Sequence, residues 1–455
     1  MRQLLLVVLI IVLTCSIYAQ DVSLTLEECI QIALKNNATI ITNENLNKSS
    51  EKDVLASYAG ILPTLNASAS SGKFEAGESE DFRDVPVAFD SLGNPTRLER
   101  RLILQPSFQV NFNQLNLRLN QNLFDGGEWW NAIRYAKAQK RASDYDLISV
   151  IQTTVLAVQE AFFDLLKQQK LLEVNELAVK RSEDQLSKTE KMYELGAVAK
   201  VDVFRSRVNL GNDRTELLLQ KNAVISAQNN LNVALGRNPI SPLKIQPEFS
   251  LKPAFENTTE LIETAIANNP ELMRIEEEVK ASDIAVARSY SVLFPNLSAF
   301  LNYQRSNEEL DRVYTNYNKN WTMNYGFSIS LNLFNGFQDM VNIQKSKLSE
   351  RNYQINFEAS KLEVIASVLQ LVDNYNAYLE IIEINEENLE AAREEFRLAE
   401  ERYRIGSGTQ LEVREAQVNL TRAEQTLVAA QYNARITQAQ LEQVLGTIYA
   451  EGEEG

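Results

Sequence analysis

The sequence predicts an α+β membrane protein, internally duplicated, with long coiled-coil helices and four β-strands per chain. Three observations predict it: two halves repeat in order, long proline-free stretches carry seven-residue apolar spacing, and four segments have period two. Composition narrows the field further. The 455 residues are 44% hydrophobic and 23% charged, too apolar for a disordered chain and too charged for a polytopic helical membrane protein. A net charge of −16 argues against a nucleic-acid-binding surface. Histidine is absent and the cysteines are Cys15 and Cys29, which excludes histidine-based catalysis, Ser-His or Cys-His nucleophiles and nearly all zinc sites. With no phosphate loop, convergent nucleophile or metal set, the reading is a non-enzyme without cofactor.

Met1-Arg2, the apolar run Leu4 to Leu13 and Ser16-Ile17-Tyr18-Ala19 read as a secretory signal peptide cleaved after Ala19. The run is too short to span a bilayer. The alternative is a lipoprotein acylated at Cys15, which Thr14 in front of it fits poorly. Cleavage leaves one cysteine, Cys29, so no intrachain disulfide forms; it reads as a small buried helix residue. No later segment approaches 18 uninterrupted apolar residues, so a helical span is not expected, while a β-barrel stays open.

The repeats follow a rule. Asn36-Asn37 recurs as Asn268-Asn269 and Leu62-Pro63 as Phe294-Pro295, both 232 apart. Leu123-Phe124-Asp125-Gly126 recurs as Leu333-Phe334-Asn335-Gly336, Tyr193-Glu194-Leu195-Gly196 as Tyr403-Arg404-Ile405-Gly406, and Leu235-Gly236 as Leu445-Gly446, all 210 apart. The offset changes once, by 22 residues, between Pro63 and Phe124. The segment from about Ser71 to Arg101 holds that insertion and reads as a long surface loop. The chain thus divides into signal peptide (1–19), first repeat (20–237), linker (238–257), second repeat (258–446) and tail (447–455).

Residues 107–238 and 296–455 contain no proline, as long helices require. Ile148, Ile151, Val155, Val158, Phe162, Leu165, Leu172, Val179, Leu186 and Tyr193 keep a coiled-coil spacing, repeated by Ile365, Val368, Val372, Tyr375, Leu379, Ile382, Leu389, Phe396 and Tyr403. Glu128–Leu195 and Gln338–Ile405 would each run about 100 Å. Leu26–Gly60, Lys200–Arg237, Thr258–Leu293 and Gln410–Leu445 would each run about 50–55 Å, so two short helices match one long one. A set of separate shorter coiled coils is the alternative.

The strands come between the helices. Met323, Tyr325, Phe327, Ile329, Leu331 and Leu333 alternate with Asn324, Gly326, Ser328, Ser330 and Asn332. Leu297, Ala299, Leu301 and Tyr303 alternate with polar residues, broken by Phe300; Leu65, Ala67 and Ala69 alternate with Asn66, Ser68 and Ser70. Phe108, Val110 and Phe112 give way to Leu115, Leu117 and Leu119, and that phase switch near Asn113-Gln114 suggests a bulge or bend. Small and amide residues on one face, with aromatics at the ends, resemble outer-membrane strands: Trp129-Trp130 at the inner interface, Tyr317 and Trp321 at the outer. A soluble sandwich shares the alternation but needs more strands. Four strands cannot close a membrane barrel, and an open edge in lipid is prohibitively costly, so several chains must share one.

On the duplication, the Leu-Phe-Asp-Gly-Gly and Leu-Phe-Asn-Gly elements, the prolines entering the first strands and two helix-turn-helix tips, the chain resembles the TolC family of outer-membrane efflux proteins. The resemblance implies a homotrimer with a 12-stranded barrel in the outer membrane of a Gram-negative bacterium and a 12-helix tunnel across the periplasm. It implies docking to a periplasmic adaptor (membrane fusion) protein and an inner-membrane transporter, in efflux or type I secretion. The tips, Leu195, Gly196, Ala197 and Val198 with Ile405, Gly406, Ser407 and Gly408, are by resemblance the surface an adaptor grips. Glu412 and Glu415 match the family's constricting carboxylate ring, whose six carboxylates in a trimer would attract cations. Tyr403 and Asp202 match a pair that clasps the mouth by a hydrogen bond. A second clasp, made by an arginine in the best-known member, falls on Gly408 and Val201 and is missing, so the mouth is held less firmly or by another bond. A periplasmic adaptor or a coiled-coil stalk is the competing reading; neither would carry a duplicated strand-strand-helix order with lipid-type strands.

Overall fold

The computed structural model describes residues 23–247, 249–315 and 317–449. The signal peptide, Cys15 and residues 450–455 of the tail lie outside the described residues. The first half comprises α1 (Leu26–Asn36), α2 (Ala38–Ser57), β1 (Thr64–Ala76), β2 (Ser79–Phe89), β3 (Pro95–Gln105), β4 (Phe108–Phe124), α3 (Glu128–Glu194) and α4 (Lys200–Ala234). The second comprises α5 (Thr258–Asn268), α6 (Pro270–Ser289), β5 (Asn296–Asn307), α7 (Leu310–Thr315), β6 (Trp321–Ser330), α8 (Gln338–Arg404) and α9 (Gln410–Val444). Lengths recur in pairs: α3 and α8 have 67 residues each, α4 and α9 have 35 each. The chain forms two compact units: one of residues up to 51, 138–280 and from 352 on, the other of 52–137 and 281–351.

The first unit is helical. α1 starts with a reciprocal cap in which Thr25 Oγ1 accepts from Glu28 N (3.2 Å) and Glu28 Oε2 accepts from Thr25 N (2.8 Å). It buries Cys29, Ile30 and Ala33 against Val158 and Phe162 of α3, Leu231 of α4 and Leu235 at the end of α4. Burial pushes the Cys29 thiol up to about 11, so it stays a neutral core group at any ordinary pH. A second core joins Ala265 of α5, Val368 and Val372 of α8 and Leu441 of α9. Of the helix-spaced apolar positions read from the sequence, those in the middle of α3 and α8, such as Val155, Val158, Phe162, Leu165, Val368, Val372 and Tyr375, are buried, while Tyr193 near the tip is exposed. Part of α3 is long and apolar enough to cross a membrane, but nearly half of that window is buried, and Val155, Val158, Phe162 and Leu165 lie in the core.

The short helices differ from expectation: 26–60 and 258–293 are each broken near the repeated Asn-Asn. Asn37 and Asn269 adopt extended ψ values of 122° and 116°. Their side chains accept from Thr39 N (2.9 Å) and Leu272 N (3.1 Å), capping the next helix. Each also donates across the fold, Asn37 Nδ2 to Ala234 O (3.1 Å) and Asn269 Nδ2 to Val444 O (2.9 Å). The two repeated sequence pairs, Asn-Asn and Leu-Gly, therefore meet in two matching joints.

The linker is pinned rather than loose. Asn232 Nδ2 donates to Pro239 O and Ser241 O, and Tyr375 Oη donates to Lys252 O at 2.6 Å. Burial alone would raise the Glu442 carboxyl, but hydrogen bonds from Lys252 Nζ (2.6 Å) and Gln438 Nε2 (2.9 Å) outweigh it and hold the group below the ordinary carboxylate value. Such a depressed value contributes stability above the unfolded pKa of about 4.3, lost as pH falls through the folded value. E442Q should lower the melting temperature at neutral pH, with the gap to the parent closing below about pH 4. A gap that stays constant through the acid range contradicts the assignment.

The second unit holds a four-stranded antiparallel sheet in the order β1-β4-β5-β6. The register aligns the alternation of every strand. Leu65, Leu119, Leu301 and Tyr325 form one row, and Ala67, Leu117, Tyr303 and Met323 the next. The opposite face carries Asn66, Arg118, Asn302 and Asn324 in one row. Phe300, the exception, lies over Gly326, where a side chain would meet its ring. On β6, Tyr325, Phe327 and Ile329 are 72–74% exposed, a solvent exposure this apolar face cannot keep in water. β6 ends at Ser330, so Leu331 and Leu333 follow the strand; an edge with no neighbour has nothing to hold them extended.

Two expectations are corrected. Residues 71–101 are not an irregular loop: β1 runs on to Ala76, and β2 pairs with β3 as a hairpin. The hairpin turn is fixed by Asp90 Oδ1, which accepts from Leu92 N (2.8 Å) and Asn94 N (3.0 Å), and by Gly93 at φ +80°. Nor is there a bulge near Asn113-Gln114: the β1–β4 register is unbroken from Ala76↔Phe108 to Thr64↔Asn120. The irregularity in β4 lies between Asn122 and Phe124, opposite β5. The phase switch is a change in which face is apolar.

Candidate functional site

Two tips reverse the chain between α3 and α4 and between α8 and α9. Gly196 and Gly406 take φ +73° and +77°, open to glycine without strain. Behind them Ala197 N donates to Met192 O (2.8 Å) and Ser407 N to Arg402 O (2.9 Å), the same helix-ending motif twice. Leu195 is 84% and Ile405 72% exposed, and Gly196, Ala197 and Ser407 are also open, while Val198 and Gly408 are half-buried.

Each returning helix is capped at its first turn, α4 by the Asp202 carboxylate and α9 by the Thr409 hydroxyl. Asp202 Oδ2 accepts from Ala199 N (3.3 Å) and pairs with Arg205 (3.4 Å). Thr409 Oγ1 accepts from Glu412 N (3.2 Å) and bonds the Glu412 carboxylate (3.3 Å). Both carboxylates sit at the positive end of a helix dipole. Glu412 also lies 3.6 Å from Arg402, a solvent-exposed pair of little energetic weight. Glu415, one turn on, is exposed and makes no hydrogen bond or ion pair among the described residues.

The structure brings Tyr403 and Asp202 to one cleft, which Val198, Arg205 and Gln410 also line. It does not bond them. Tyr403 is 6% exposed, and its hydroxyl finds no hydrogen-bond partner among the described residues. Asp202 is instead engaged in capping. Gln410 makes the link between the tips: its Nε2 donates to Asp202 O (3.2 Å) and to Ser206 Oγ. Gly408 offers no side chain for the second clasp, and a Cβ there would sit tightly, 3.0 Å from Arg402 Cβ and 3.1 Å from Tyr403 N.

Above the tips a polar network ties α9 to α3 and α4. Arg414 forks onto Asp213 with bonds of 2.7 and 2.9 Å. Ser182 donates to the same carboxylate, and Gln417 Nε2 donates to Ser182 Oγ at 2.8 Å. Arg181 forks onto Glu424 at 2.8 and 2.9 Å, and Lys188 meets Glu400 of α8 at 2.7 Å. Sequence reasoning missed Gln410, Arg414 and Asp213, since a polar residue at helical spacing looks the same whether it faces solvent or a partner helix.

The expected aromatics stand at or just past the two ends of the sheet. Trp129 and Trp130 open α3 beyond β4, in a T-shaped pair at 5.7 Å. Trp321 opens β6 and stacks on Tyr303 at 6.4 Å, and the Arg305 guanidinium lies 5.1 Å from the Tyr317 ring.

Residues 29–237 and 261–447 match the family described as Outer membrane efflux protein. The chain belongs to that family. Among members of the outer membrane efflux protein family, the probable efflux pump outer membrane protein TtgC of Pseudomonas putida is 22% identical over 292 residues, 64% of this chain. The chain spans 60% of the length of that relative. Outer membrane protein TolC of Vibrio cholerae is 23% identical over 340 residues, 73% of this chain and 76% of that protein. The solved Campylobacter jejuni CmeC outer membrane channel superposes with a TM-score of 0.78 at 16% identity, covering 94% of this chain and 87% of that one. That likeness shows the fold, the α+β architecture of long helices and a small sheet expected from the sequence.

Proposed function

We propose that the chain is the outer-membrane channel of a tripartite efflux or type I secretion system, a passive conduit to which no catalytic step is assigned. The observation that carries this is the four-stranded sheet, apolar on one exposed face, polar on the other, and unpaired along β1 and β6 among the described residues. In hydrocarbon each unpaired backbone group costs several kcal/mol, so the edges must meet other copies. Strand directions alternate across the sheet, so β6 of one copy meets β1 of the next antiparallel, and three copies close a 12-stranded barrel. A periplasmic adaptor or stalk has no use for such a sheet.

The helices support the same assembly. On α4, Val201 and Val208, and Phe204, Leu218 and Ile225, keep seven-residue spacing and are all more than half exposed, a coiled-coil seam that fits a neighbouring copy. In this reading residues 20–237 and 258–446 are the two repeats, Trp129, Trp130, Tyr317 and Trp321 sit at the lipid interfaces, and the exposed tip residues take an adaptor that connects an inner-membrane transporter. Glu412 and Glu415 form the carboxylate ring at the periplasmic mouth, with Asp202 and Tyr403 in the gate.

The test is direct. The detergent-purified protein should have the mass of three chains and pass current across planar lipid films, with cation selectivity reduced by E412Q/E415Q. A stable monomer, or films that stay silent, overturns the proposal.

A further inference from the structure

The register of β1 and β4 has a consequence beyond barrel closure. Up to Ser71↔Asn113 the odd-numbered residues of these strands, Leu65, Ala67, Ala69, Leu115, Leu117 and Leu119, make the apolar face. Beyond it the same face carries Lys73, Glu75, Gln109 and Asn111, while the opposite face, polar in the barrel, carries Phe74, Phe108, Val110 and Phe112. Because the register has no break, this is a true inversion of polarity on a continuous ribbon. It occurs where the four-stranded sheet ends: Asn113 pairs with Asn307, the last residue of β5, and its side chain bonds Asn307 O (3.2 Å), Glu308 O (2.9 Å) and Ser71 Oγ (2.6 Å). Above that point β1 and β4 pair only with each other, as a two-stranded arm that has α7 beside β4 and runs on into the β2–β3 hairpin.

The arm's apolar face is shaped and uncovered. Gly72 has no side chain, so the Phe112 ring lies directly on it, and a Cβ there would come within 2.7 Å of the ring. The Phe74 and Phe108 rings lie 6.0 Å apart. Phe74, Phe108 and Phe112 remain 46–56% exposed in the single chain.

We infer that these arms pack against one another, copy to copy, as an aromatic collar over the outer exit of the barrel. The inference rests on the three-copy channel reading, which turns the Asn66–Arg118–Asn302–Asn324 face toward the bore. The inverted face therefore points at the shared axis, where the surface opposite it is the same face of the other copies. The outward face turns polar at the level where lipid ends and water begins, which explains the inversion from both sides. Reach is sufficient: twelve strands 4.8 Å apart, tilted about 40°, give a radius of about 12 Å, while Ser71–Ala76 alone spans about 17 Å. β1 is also the strand through which each copy meets the next, so the collar continues an interface the channel already needs.

Single cysteines test this in the assembled protein. F74C and F108C face the axis; K73C and Q109C, their neighbours, face outward. Cys29 is fully buried and can stay, and the parent chain sets the background. With a short bis-maleimide, F74C and F108C should give severalfold more covalent dimer than K73C and Q109C. Trimer mass and lipid-film current are measured on the same samples. An intact, conducting trimer in which F74C and F108C cross-link no better than the outward pair overturns the collar and leaves the channel reading standing. Loss of both trimer and current in the parent chain overturns the channel reading, and the collar with it.

Discussion

Alanine at Gly236 lowers the stability of the helical unit by about 3–4 kcal/mol, whereas alanine at Gly196 costs about 1–2 kcal/mol. Both glycines take left-handed backbone, with φ +68° and +73°, so both pay the same conformational penalty. The difference is the neighbourhood. A Cβ on Gly236 would stand 2.5 Å from Asn36 O, 2.7 Å from Asn36 C and 3.1 Å from Asn37 N, while one on Gly196 meets nothing within 4 Å. Those atoms are backbone, and they belong to the joint where Asn37 donates to Ala234 O, so they cannot swing aside. Thermal unfolding followed by circular dichroism should separate the two variants by several degrees. Equal losses would mean that the joint is not closely packed.

R414M should raise single-channel conductance, and Y403F should leave it at the parent level. In the proposed channel, opening the mouth by moving α8 and α9 away from α3 and α4 would break the Arg414–Asp213 fork, whose side chains are 22% and 15% exposed. Removing one partner of such a shielded pair strands the other charge between helices, a cost of about 2–4 kcal/mol borne by the closed state. The Tyr403 hydroxyl bonds nothing among the described residues, so its removal breaks no link. The charge swap R414D/D213R should recover part of the closure. Parent-like conductance in R414M together with opening in Y403F would return the clasp to the tyrosine.

Much of this fold was legible because its long-range joints are built from repeated words. Asn36-Asn37 and Leu235-Gly236 recur in the second half because the same contact is made twice, and proline-free spans marked α3 and α8. The helix breaks at Asn37 and Asn269 were not legible: the carbonyls that hold those side chains open lie 197 and 175 residues away. The β2–β3 hairpin hid because its strands mix charges with apolar residues, so the turn residues from Asp90 to Pro95 read as part of one long loop. At Asn113 the sequence showed a change of phase, which a bulge and a change of surroundings produce alike; only the register separates them. At the tips, the exposed apolar residues and the capping acids could be read from local order. The bond from Gln410 could not, since it depends on how two hairpins lie side by side.

In the proposed channel, the two rims of the sheet, unpaired among the described residues, set the order of events in biogenesis. On that reading a lone copy arriving at the bilayer would have no partner for either rim, so insertion and association would form one kinetic step. Its rate should climb steeply with the supply of newly exported chains, and a surplus of any defective copy that still joins would poison its companions.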